Sequence, residues 1–166
     1  MLAATLIGGN QVAMPLPPEP FPAALERRKA RWETYGEHRY LRLTDDFRGL
    51  PKGTLAWEER LIPGYPRIGR IFRLEQGLAQ QFAGPFWMEE KIDGFNIRIF
   101  RAGDELLALS RGGYVCPFAT DRVPDFIPMG LFESHPDLVL CAELAGPDNP
   151  YTQGGPSFVR EDVQLF

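Results

Sequence analysis

Cysteine and histidine are scarce in this chain: its 166 residues contain two of each. Cys116 and Cys141 form neither a C-x-x-C nor any other metal-ligand spacing, and two thiols make no disulfide framework. They read as small core residues in a reducing compartment. His38 and His135 are too few and too scattered for a histidine metal centre. Long apolar runs are missing as well, so nothing approaches the length of a membrane span. Met1 to Ile7 is mildly apolar but lacks the basic stretch of a signal peptide, which leaves the cytoplasm as the expected compartment. Positive charge is not in excess: 18 Lys and Arg stand against 22 Asp and Glu, for a net charge of -4. A chain-wide basic footprint for nucleic acid is thereby excluded, and only a local basic patch could serve.

Glycine and proline are plentiful, at 17 and 16 residues, so turns are many and long helices few. The length suits one domain, or a domain with an arm. Residues 1–21 form the arm: Met14-Pro15-Leu16-Pro17-Pro18-Glu19-Pro20 favours an extended, polyproline-like state. Met14 stands as an alternative start. Residues 22–60 read as an N-terminal helix and strands, and 61–166 as the main unit. Pro22 to Tyr35 is expected to be helical, with Pro22 in the first turn and Gly36 as the stop. Its exposed face would carry Glu26, Arg27, Arg28, Lys29 and Arg31, a solvated strip or a nucleic-acid contact. Tyr40 to Leu43 and Thr54 to Trp57 read as strands, Pro63-Gly64-Tyr65-Pro66 as a turn, and Glu75 to Phe82 as a helix.

The stretch from Phe86 to Arg101 organises the rest. It reads as a strand opened by Trp87 and Met88, an Asp93-Gly94 turn, and a second strand. Strand alternation puts Asn96 and Arg98 on one face and Phe95, Ile97 and Ile99 on the other. Lys91, ending the first strand, is either a nucleophile or a solvated lysine paired with Asp93. Further on, Leu106 to Ser110 is a strand that opens into a Gly-rich loop at Arg111. Asp125 to Phe132 is expected to be irregular or a short helix. Asp137 to Leu144 is an apolar strand carrying one charge, Glu143. A carboxylate there needs a donor partner or a cleft. Phe158 to Phe166 begins another strand.

Lys91, Arg111 and Glu143, each near a strand end, could together hold a nucleotide. Arginine would take phosphate or ribose oxygens, and the carboxylate would accept from ribose hydroxyls. Lys91-Ile92-Asp93-Gly94, Ser110-Arg111-Gly112-Gly113 and Glu143-Leu144-Ala145-Gly146 resemble three motifs of the covalent nucleotidyltransferase superfamily of polynucleotide ligases and capping enzymes. The strings EEKIDGFNIRIF, SRGGYVCPFATDR, DLVLCAELAGPDNPY and PGYPRIGRIFRLEQG are similar to the archaeal-type ATP-dependent RNA ligase family, over roughly residues 38 to 166. The resemblance implies an α+β fold: antiparallel sheets flanked by short helices, as in the ATP-grasp-like nucleotidyltransferase domain, truncated at its C-terminal side.

It further implies that Lys91 attacks the α-phosphate of ATP to give a lysyl-AMP intermediate. AMP then passes to an RNA 5′-phosphate before an RNA 3′-hydroxyl seals the strand. Glu90 would lie near the adenine edge, and Asp93 and Gly94 belong to the lysine motif. Asn96 and Arg98 would flank the nucleotide, Arg111 would contact ribose or phosphate, Glu143 the ribose hydroxyls, and Phe166 would stack on adenine. Magnesium would neutralise the phosphates, bound mostly through them and water. RNA ends would be the partners, with no membrane. The family's later acidic and lysine-rich motifs and its C-terminal dimerisation region are not in this chain, so little or no ligase activity is expected of the chain alone. The alternatives are an inactive remnant that binds nucleotide or RNA, and a DNA ligase-like adenylyltransferase.

Overall fold

A computed structural model describes residues 17–66, 69, 71–82, 84–152 and 163–166. Their frame is two four-stranded antiparallel sheets. The first runs β1 (Ala30–Tyr35), β2 (His38–Leu43), β3 (Leu55–Trp57) and β4 (Arg60–Ile62), each beside the next. In the second, β5 (Phe95–Ala102) lies between β6 (Glu105–Ser110) and β7 (Val139–Ala145), and β8 (Gln164–Leu165) adds to β7. Helix α1 (Phe21–Glu26) precedes the first sheet, α2 (Leu74–Gln81) joins the two, and α3 (Pro117–Phe126) and α4 (Met129–Ser134) lie between β6 and β7 in sequence. The α+β architecture expected from the sequence is the one observed.

The core is layered. Phe21 and Ala24 of α1 pack with Leu41, Leu43 and Ala56 on one face of the first sheet. Its other face meets the second sheet, where Tyr40, Leu55, Trp57 and Ile62 pack with Phe100, Leu107 and Leu109. Trp57 anchors this layer: Tyr40 stacks on it at 5.1 Å and Phe100 meets it edge-on at 5.2 Å. The outer face of the second sheet, with Ile97, Ile99, Ala108 and Leu144, takes Ala119, Val123 and Phe132 of α3 and α4. The alternation along β5 is therefore as expected, but both faces are covered. Ile97 and Ile99 face the helices, while Arg98 and Phe100 lie between the sheets.

Three expectations need correction. The helix over Pro22–Tyr35 stops at Glu26, where Arg28 turns the chain with φ 58°. Ala30–Tyr35 then pairs residue for residue with His38–Leu43 across a turn holding Gly36 at φ 56°. Trp32, Thr34 and Tyr35 suit a strand, and the neighbouring strand decides the competition against a helix-favouring run of Glu, Arg and Lys. The basic strip is dispersed accordingly, with Lys29 bridging to Asp45 at 2.9 Å.

Phe86 to Lys91 is not a strand: Trp87 and Met88 are 95% and 89% exposed. The hairpin partner of β5 is β6, reached through Gly103-Asp104 with Gly103 at φ 61°. Gly94 is needed for closeness rather than for a turn, since a Cβ there would come 2.7 Å from the Leu144 carbonyl oxygen. Of the two readings for Asp125–Phe132, irregular or a short helix, the helical one holds: α3 ends at Phe126 and the short α4 follows from Met129. Pro117 starts α3, and the internal Pro124 obscures it in the sequence. Cys116 is buried as expected, but Cys141 is exposed.

The sheets are stitched where two loops touch. Gly53 (φ 82°) and Gly113 (φ 83°) lie backbone against backbone: a Cβ on Gly113 would sit 2.6 Å from the Gly53 carbonyl oxygen. Gly113→Ala is expected to cost about 2–3 kcal/mol, from left-handed strain of about 1–2 kcal/mol plus the contact. A thermal melt checks this, and an unchanged midpoint would mean that the two loops are free to part. Among the described residues no helix is long and apolar enough to cross a membrane.

Candidate nucleotide site

The β5–β7 pairing builds the centre of the site. Asn96 stands directly opposite Glu143 in the register, so both side chains project from the same face. The Asn96 side-chain amide donates to Glu143 Oε2 at 2.8 Å and to the Tyr65 hydroxyl at 2.8 Å. The Gly94 backbone N–H donates to Glu143 Oε1 at 3.2 Å. Glu143 thus has the donor partners its place in an apolar strand demands. The Asn96 Oδ1 is buried with no hydrogen-bond partner among the described residues. A buried acceptor without a donor carries a desolvation cost of about 1–3 kcal/mol, which a ligand hydroxyl or amine would offset.

Tyr65 is a site residue that the sequence pattern did not mark; the available signal was an aromatic inside the Pro63-Gly64-Tyr65-Pro66 turn. It joins two groups of predicted residues. Its hydroxyl meets Asn96, and the Arg111 guanidinium lies over its ring, 5.7 Å from the centroid. Phe166 is brought to the same place, because its backbone N–H and carbonyl exchange hydrogen bonds with Glu143 at 2.9 and 2.8 Å. Gly94, Asn96, Arg111, Glu143 and Phe166 are therefore neighbours. Glu90, Lys91 and Asp93 are exposed on the irregular segment that leads into β5, ahead of Gly94.

Arg98 has a different position from the one expected. It is 1% exposed, and its guanidinium donates to the carbonyls of Pro63, Gly53 (2.9 Å) and Ser110 (3.3 Å). Burial lowers its pKa to about 10, so it stays charged at neutral pH. It fastens three segments: the Tyr65 turn, the Gly53 loop and the end of β6 next to Arg111.

Arg42, also missed, does similar work below the Arg111 loop. It is 4% exposed and pairs with Glu33 at 2.7 Å. It also donates to the Tyr114 hydroxyl at 2.6 Å and the Gly112 carbonyl at 3.3 Å. The loop after β7 is closed by Asn149, which donates to the Leu144 carbonyl at 2.7 Å and accepts from the Tyr151 N–H at 3.0 Å.

Residues 84–165 match the model of the RNA ligase family. Over 132 residues the chain is 34% identical to an uncharacterized protein, MJ0414, of Methanocaldococcus jannaschii, covering 78% of this chain and 33% of that one. Among solved structures, one described as "Putative ATP-dependent DNA ligase from Aquifex aeolicus" is 53% identical with a TM-score of 0.82, over 88% of this chain and 40% of that one. Two forms of an archaeal ATP-dependent RNA ligase are 29% and 30% identical, each with a TM-score of 0.74 over 87% of this chain and 40% of theirs. The chain thus spans between a third and two fifths of the length of these relatives. Sequence match and shared fold agree, and residues 84–165 belong to the RNA ligase family.

Proposed function

We propose that this chain is the nucleotide-binding part of an ATP-dependent RNA ligase that forms a lysyl-AMP intermediate, with residues 61–166 as its adenylation unit. The observation that carries the reading is the buried Asn96 Oδ1 without a donor, beside the half-buried Glu143 carboxylate. Two adjoining acceptors suit a ligand rich in hydroxyl and amine donors, as a ribonucleoside is. Arg111, held over Tyr65, supplies the positive charge for phosphate or ribose oxygens. Phe166 next to Glu143 offers a ring for the base.

In this reading the neutral Lys91 amine attacks the α-phosphorus of ATP. A P–N bond forms, the bond from that phosphorus to the bridging oxygen breaks, and pyrophosphate leaves with the electron pair. The amine proton is lost to solvent. An RNA 5′-phosphate oxygen next takes the AMP and frees the lysine. A 3′-hydroxyl then displaces AMP and seals the strand. Magnesium, when bound, would neutralise phosphate charge. Its ligands would be mainly phosphate oxygens and water.

A second reading, DNA ligation, is favoured by the 53% identity to the Aquifex aeolicus structure, which is described as a DNA ligase. The test starts from chain charged with AMP labelled in its phosphate, then offered RNA or DNA carrying a 5′-phosphate. The expected product is adenylated RNA, with sealing weak or absent. Adenylated DNA alone would move the reading to DNA ligation. Labelled protein that passes AMP to neither would reject both polynucleotide substrates.

A further inference from the structure

A cleft of about 480 Å³ adjoins the candidate nucleotide site, lined by Asp45, Asp46, Pro51, Lys52, Tyr65 and Arg111 among others. Tyr65 is shared by the two: its hydroxyl accepts from Asn96, while its ring carries Arg111 at the cleft. The acidic members of the wall are already engaged. Asp45 is bridged to Lys29 at 2.9 Å, and Asp46 Oδ1 accepts the backbone N–H of Lys52 at 2.9 Å. Lys52 and Arg111 are exposed, and neither forms an ion pair among the described residues. The cleft therefore combines an aromatic ring, a proline and two exposed cations without an ion-pair partner among the described residues. Formal charge in the lining balances, two carboxylates against two cations, but both carboxylates are engaged while the two cations are open to a ligand.

We propose that this cleft binds the phosphodiester backbone of the polynucleotide acceptor, with Lys52 and Arg111 as its phosphate contacts. The assignment rests on the ligase reading above and adds to it a surface for the strand. The cations are of two kinds suited to different parts of one task. Arg111 is held by its contact with Tyr65 at the border between nucleotide and strand, where the transferred phosphate must pass. Lys52 is a compact point charge on a flexible stem further along the cleft wall, suited to a phosphate whose position varies with sequence. Gly64 keeps the Tyr65 turn pressed on the Lys52 loop, since a Cβ there would come 2.8 Å from the Lys52 carbonyl oxygen.

Two measurements on the same samples test it. Fluorescence anisotropy gives the affinity for a labelled single-stranded RNA with a 5′-phosphate, and for DNA of the same sequence, at several salt concentrations. AMP labelling of the protein is measured alongside. Lys52→Ala is expected to weaken RNA binding about five-fold near 0.1 M salt and to reduce the log–log salt slope by about 0.7, the loss of one single-strand phosphate contact. Its rate of AMP labelling should equal that of the wild type. The backbone N–H to Asp46 survives in this variant, so its fold should too. Equal loss for DNA still supports the backbone assignment and shows the contact to be indifferent to the sugar; loss confined to RNA adds a 2′-hydroxyl contact.

Unchanged RNA affinity and slope in the variant would overturn the proposal, as would a wild type that binds neither polynucleotide. Normal strand binding with slowed labelling would instead assign the cleft to the phosphates of ATP and overturn it too. A wild type that binds RNA with the expected dependence on Lys52 but takes no AMP would leave the cleft standing and reject the lysyl-AMP reading.

Discussion

Lys91→Ala is expected to abolish covalent attachment of AMP to the protein, with the fold unchanged. Wild-type chain incubated with magnesium and ATP labelled at the α-phosphate should gain label that survives denaturation, and the variant none. The expected effect is total because alanine has no nucleophile with which to form the P–N bond. Lys91 is exposed on the lead into β5 and contributes to none of the three core clusters, so its removal should leave the melting transition where it was. Equal stability with no label separates chemistry from folding. Label on both proteins would place the nucleophile elsewhere, and mass analysis of the labelled peptide would find it. Folded wild type with no label would reject self-adenylation by this chain and favour a nucleotide- or RNA-binding role.

Arg98→Met should be the most damaging single change to stability. Two effects compete. The substitution relieves the desolvation of a buried guanidinium, the effect that lowers its pKa to about 10. It also strips the donor from the carbonyls of Pro63, Gly53 and Ser110, in surroundings that offer little water. Hydrogen bonds to a charged donor are worth about 1.5–3 kcal/mol each, so three of them outweigh the relief and leave a net loss of about 2–4 kcal/mol.

Urea denaturation should give a lower midpoint with a similar slope. Nucleotide binding should weaken as well, because Pro63 and Ser110 lead directly to Tyr65 and Arg111. Arg98→Lys is expected to recover only part of the loss, since one ammonium cannot span three carbonyls in the geometry of a planar fork. A Met variant as stable as the wild type would mean that relief of desolvation matches the loss of all three hydrogen bonds. If it were also unable to bind nucleotide, Arg98 would be a direct ligand.

Local pattern made much of this legible. The alternation Phe95-Asn96-Ile97-Arg98-Ile99 put the correct residues on each face of β5. The lone charge in the DLVLCAEL run marked Glu143 as needing donors, and Asn96 and Gly94 supply them. Patterns that depend on a neighbour were read less well. Ala30–Tyr35 has helix-favouring charges, and only its pairing with β2 makes it a strand. Asp93-Gly94 has the composition of a hairpin turn, but the packing of Gly94 on β7 gives that glycine another use. In β5, a residue on the non-helical face could be read as open to ligand. The first sheet covers that face and converts Arg98 from a candidate ligand into a clamp.

The sequence alone determined the residue types near the chemistry: an amine before Asp-Gly, an arginine at a strand end and a carboxylate in an apolar strand. These follow from neighbours along the chain. Tertiary structure decided which of them meet. Tyr65 is 31 positions from Asn96 and Lys52 is 59 from Arg111, yet the first pair shares a hydrogen bond and the second a cleft. Such encounters depend on how two sheets stack and how closely glycine backbones approach, and both are set by packing across the whole core rather than by any local run of residues.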